Sequence, residues 1–98
     1  MGNSYKSAEF LMAARLARSA QASADECFDL GMAYCCGDGG MPIDLVEAHK
    51  WFNLAALRGK DEGQAMRAEI AGEMTAREIA EAQRAARAML ATTQLRAV

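Results

Sequence analysis

The sequence predicts an all-α protein, and three observations carry the prediction. The 98-residue chain is rich in alanine, holds a single proline and has few β-branched residues, a composition that favours helices over strands. One helix-start signature recurs: an oxygen-bearing residue followed three positions later by Glu or Gln, the pair that satisfies two orphan amides reciprocally. It occurs at Ser23/Glu26, Asp44/Glu47, Asp61/Gln64 and Thr75/Glu78. Behind each start, apolar residues recur at helical spacing.

Taken in order, a first helix over roughly 7–21 is the least defined. The second spans roughly 24–36 behind Ser23. Its stripe is Cys27 or Phe28, Gly31, and Tyr34 or Cys35, and Gly37 supplies a left-handed stop. The run YCCGDGGMPID then reads as a turn, with Gly39 and Gly40 reversing the chain and Pro42 stiffening the approach to the Asp44 cap. The third helix, roughly 45–58, carries Leu45, Ala48, Phe52 and Ala55, widened by Trp51 and Ala56, and stops at Gly59. The fourth covers roughly 62–72 and ends near Gly72. The last covers roughly 76–91, where Met74 and Ile79 occupy the positions of a hydrophobic staple and Ile79, Ala82, Ala86 and Met89 or Leu90 form the stripe. Gly31 inside a helix costs about 1 kcal/mol relative to alanine. Its presence predicts a close helix contact, with Ala48 or Ala55 opposite and neighbouring helices paired as antiparallel hairpins.

The segment ADECFDLGMAYCCGDGGMPIDLVEAHKWFNLAALRG resembles the Sel-one-like repeat (SLR), a relative of the tetratricopeptide repeat (TPR). Ala24, Leu30, Gly31, Tyr34, Gly37, Gly39, Asp44, Ala48, Trp51, Ala55, Ala56 and Gly59 match that family's pattern in order, with the loop before Asp44 one residue longer than usual. The segment after it resembles the tail that follows a final repeat in bacterial members. The resemblance implies a short α-solenoid: an α/α hairpin repeat over 24–59, a degenerate second repeat with capping helix over 61–91, a tail at 92–98, and residues 1–22 as an N-terminal helix or extension to the 23–98 domain. It also implies a cytoplasmic protein-protein interaction module or adaptor.

Charge and spacing weigh against other chemistries. A net charge of −2 and a pI near 5.3 offer no cationic field for nucleic acid. No apolar run approaches the roughly 20 residues a membrane span needs. Glu9, Arg15 and Arg18 interrupt the apolar stretch a signal peptide requires, and Lys6 stands where a myristoylation signal wants Ser or Thr; an Arg- and Ser-bearing transit peptide is a minor alternative. The odd set Cys27, Cys35 and Cys36 suits reduced thiols. Cys35 and Cys36 are adjacent, about 100° apart on a helix, unlike zinc ligands, so no metal or cofactor is expected. GDGG lacks the lysine and preceding strand of a phosphate loop, and Asp38 alone does not make a calcium loop.

No catalytic set is legible either. His49 with Cys27 or Cys35 is the one conceivable Cys/His thiol enzyme or redox pair, and it stands as a rival reading beside a structural homodimer. Because a single repeat leaves faces uncovered, the chain is expected to cap itself with 5–21 and 75–91, to form a homo-oligomer, or to dock on another protein. The expected contact residues are Met32, Cys35 and Cys36 on one helix and His49, Asn53 and Arg58 on or near the next.

Overall fold

A computed structural model describes residues 22–97, with side chains to residue 91. The expected helix at 7–21 and most of the 1–22 extension lie outside them. Four α-helices account for the described chain, α1 (Ala24–Cys36), α2 (Leu45–Leu57), α3 (Asp61–Ala71) and α4 (Ala76–Ala97), with a single 3-10 turn at Asp38–Gly40 and no strand.

Two of the four starts form both bonds of the capping rule and a third forms one. Ser23 and Glu26 exchange both reciprocal hydrogen bonds, as do Thr75 and Glu78, and the Asp44 carboxylate accepts from the Glu47 amide. The fourth is a correction. Lys60, not Asp61, occupies the cap of α3, without a side-chain hydrogen bond, and Asp61 and Glu62 lie in the first turn. Carboxylates there oppose the positive end of the helix dipole and stabilise the start without capping it. The cause is upstream: the Lys60 amide is spent on the Ala55 carbonyl and the Gly59 amide on Ala56. With Gly59 at φ 108° these two bonds close α2 as a Schellman motif. Gly37, at φ 72°, ends α1 through one bond to the Ala33 carbonyl. Gly72 ends α3 in the right-handed region. At the other end of the chain α4 runs through Ala97, past residue 91 and into the stretch expected to be a tail.

The 37–44 loop reverses through the 3-10 turn, where Gly39 and Gly40 both take positive φ. The Asp44 amide then donates to the Tyr34 carbonyl, closing the hairpin. At its opposite end the Arg58 guanidinium donates to the Ala22 carbonyl at 2.7 Å and to Cys27 Sγ at 3.5 Å. Contacts at both ends make α1 and α2 antiparallel.

α2 is the centre of the molecule. Ala48, Trp51, Phe52, Leu54 and Ala55 have no exposed surface, and His49 and Lys50 are buried with them. A helix buried around its whole circumference must be covered from several directions, and α1, α3 and α4 all pack on it. Lys50 survives there because its ammonium meets the Glu47 carboxylate at 2.9 Å and lies 4.6 Å from the centre of the Trp51 ring. The same carboxylate accepts from the indole nitrogen at 3.2 Å.

The expected close contact at Gly31 is present. What a methyl on Gly31 would meet first is the ring of Phe52, at 2.5 Å. A second close approach escaped the sequence reading: at Gly63 the added carbon would lie 2.6 Å from the Phe52 carbonyl oxygen. The antiparallel-hairpin expectation also holds only in part, since α4 takes its main packing from α2 rather than from α3.

Candidate functional site

α1 and α3 lie on α2 side by side and run in the same direction. At their N-terminal ends Lys60 Nζ reaches the Asp25 carboxylate at 3.0 Å and sits 5.3 Å from the centre of the Phe28 ring. At their C-terminal ends Glu69 and Glu73 act on the Cys35 thiol. Between them α2 forms the floor, with Phe28 tilted against Phe52 at 5.4 Å between ring centres.

Helical spacing sorts the residues along this face. On α1, Asp25, Asp29, Met32 and Cys36 fall on one stripe at intervals of four, three and four. On α3, Glu62 and Glu69 fall on another, with Met66 between that stripe and the buried Gly63 and Ile70, and Glu73 follows in the turn after Gly72. Asp25, Asp29, Glu62, Glu69 and Glu73 are exposed, whereas Met32, Cys35 and Met66 are half-buried against the core. The face is thus an apolar, sulfur-rich strip between acidic rims. Residues 22–75 carry ten acidic side chains against four basic ones, and residues 76–97 carry two against four, so negative charge concentrates on the α1 to α3 part of the chain.

The six expected contact residues separate into two groups. Met32, Cys35 and Cys36 come together on the α1 flank of this face. The other three serve the frame. His49 is buried. Asn53 is half-buried and its Oδ1 accepts from the Arg67 guanidinium of α3. Arg58 is half-buried and ties the end of α2 to the start of α1. Met66 is open from the sequence as part of an adaptable methionine surface with Met74 and Met89 or as core; Glu62, Glu69 and Glu73 were missed, although Glu62 and Glu69 recur seven residues apart, a spacing that places them on one side of a helix.

The environments of Cys27 and Cys35 disfavour their thiolates. Burial pushes Cys27 up despite the neighbouring Arg58 charge. Cys35 is pushed up to about 11 by burial, by the hydrogen-bonded Cys36 thiol and by the fields of Glu73 and Glu69. A catalytic thiol requires the opposite shift. His49 does not pair with a thiol through Nδ1, which has no hydrogen-bond partner. Among the described residues no three His, Cys, Asp or Glu side chains gather as metal ligands, and no helix is long and apolar enough to cross a membrane. At about pH 7.5 a thiol reagent is expected to modify the exposed Cys36 first and Cys35 and Cys27 far more slowly, because only the thiolate reacts and Cys27 is enclosed. Mass spectrometry of the modified peptides reads the order.

The buried imidazole makes stability depend on pH. Burial, then the Arg67 charge, lower the His49 pKa below its ordinary 6.5. The folded state therefore holds His49 neutral where the unfolded state takes up a proton. Stability is full above about pH 6.5 and falls as pH drops through that value toward the folded-state pKa. Urea midpoints are expected to decrease between about pH 7.5 and about pH 5.5, above the ordinary carboxylate range. In His49→Leu that slope should be largely absent.

Among known proteins, no family model, no curated protein and no solved structure matches the chain.

Proposed function

We propose that this protein is a non-enzymatic, cytoplasmic protein-protein interaction module of the Sel-one-like repeat type, which presents its α1/α3 face to a partner. One observation carries the reading: α3 returns beside α1 in the same direction, leaving an apolar strip edged by charge along two helices. Returning helices of this kind are how repeat arrays build extended binding surfaces. The repeat signature supports it independently, since Gly31, Gly37, Trp51 and Gly59 each sit where the pattern gives them a packing or capping task. The raised thiol pKa values favour this reading over a thiol enzyme.

The test uses the exposed Cys36 as a handle. A thiol-linked photocrosslinker at Cys36 should trap a discrete protein from an extract of the source cell. The same linker on Arg84→Cys, in a Cys36→Ala background, should not trap it. Equal trapping from both positions, or none from Cys36, would reject the α1/α3 face as the binding surface.

A further inference from the structure

We infer that the occupant of the α1/α3 face is a cationic amphipathic segment of a partner protein, an inference that rests on the proposed interaction role. The rims decide the sign. Asp29, Glu62, Glu69 and Glu73 make no salt bridge among the described residues; Lys60, bound to Asp25, offsets Asp29 and Glu62 in part, while Arg67 is turned to Asn53, so the excess of negative charge is greatest at Glu69 and Glu73. The floor decides the amphipathic character. Met32, Cys35 and Met66 are half-buried, and flexible, polarisable methionines accept apolar side chains of varied shape. From Asp25 to Cys36 the α1 stripe runs about 16 Å, the length of three helical turns. A helix with lysine or arginine along both borders of an apolar stripe would meet carboxylates from both helices and cover the strip. Phosphate-bearing and anionic lipid surfaces are repelled by the same rims.

The rims raise the association rate and select sign, so binding should weaken as salt rises. The probe is a fluorescein-labelled helical peptide of about 18 residues with leucine on one face and lysine on its borders, followed by anisotropy against the full-length protein. Glu69→Lys combined with Glu73→Lys is expected to weaken binding about tenfold or more, because two attractions become repulsions. Asp38→Lys combined with Glu81→Lys makes the same change in net charge at positions outside the two stripes and should alter it less than about twofold. All four residues are exposed, and circular dichroism checks that each variant folds. Equal effects of the two pairs would reduce the binding to net charge and overturn the inference, as would equal affinity for a peptide with glutamate in place of lysine. Concentration-dependent dimer mass that Glu69→Lys with Glu73→Lys abolishes would put a second copy on the face and overturn it too. If the peptide fails while Cys36 crosslinking remains face-specific, the interaction role stands and only the cationic occupant is lost.

Discussion

Gly63→Ala is expected to destabilise the protein by about 2–3 kcal/mol, the upper part of the range for overpacking a filled contact. The sign is the informative part, since helix propensity alone favours alanine over glycine by about 1 kcal/mol inside a helix. At Gly63 the added methyl meets the Phe52 carbonyl oxygen at 2.6 Å, the Ala56 amide nitrogen at 3.0 Å and the Ala55 methyl at 3.1 Å. Two of these are backbone atoms of the central helix and cannot rotate aside, so α3 itself must move off α2. That movement loosens the Arg67 to Asn53 bond and the burial of Ile70. Gly72→Ala is the control. Gly72 is exposed with ordinary right-handed backbone, and its nearest obstruction is 3.4 Å away. That substitution is expected to be neutral or stabilising by up to about 1 kcal/mol. Urea denaturation of the two variants side by side checks the contrast, and equal effects would mean that α3 does not approach α2 through Gly63.

The same pair of helices shows which parts of the molecule were legible in the sequence. Ser23, Asp44 and Thr75 announce helix starts because a cap is a local device, settled by residues three apart. Asp61 has the same local pattern and fails, because Lys60 is already held by the end of α2 and by Asp25. The α2 stripe was readable as a stripe widened by Trp51, but not that Leu54 and Lys50 would be covered on other sides. Periodicity describes one helix, whereas burial around the whole circumference depends on where three other helices travel. Gly31 signalled a close contact without naming its partner, and Gly63 was hidden because a glycine near a helix start resembles part of a turn.

The candidate face was half legible for the same reason. Met32, Cys35 and Cys36 follow from the phase of α1 alone. Assigning His49, Asn53 and Arg58 to the surface required knowing which side of α2 lies open; His49 is buried and the half-buried Asn53 and Arg58 are held by neighbouring elements. Glu69 and Glu73 gain their meaning only when α3 returns beside Cys35, an event no local pattern records.

Phe52→Ala should be the most damaging single change, costing about 3–5 kcal/mol, the range for removing a fully buried aromatic side chain. Phe52 has no exposed surface, packs against Phe28 and fills the space that Gly31 leaves open. Its loss therefore removes an aromatic pair and opens a cavity where α1 meets α2. The contact with Gly31 makes a sharper prediction than the single variant. In wild type, Gly31→Ala drives a methyl to within 2.5 Å of the ring and is expected to cost about 1–3 kcal/mol. With Phe52→Ala the obstruction is gone, the methyl enters the cavity, and the helix gains the propensity of alanine. The double variant should then be no less stable than Phe52→Ala alone, a coupling of more than about 1 kcal/mol. Denaturation of the four proteins in the cycle, read at a common temperature, gives that coupling directly. Additive effects would show that Gly31 and Phe52 do not touch, and with them would go the close α1/α2 approach that sets the floor of the acidic face.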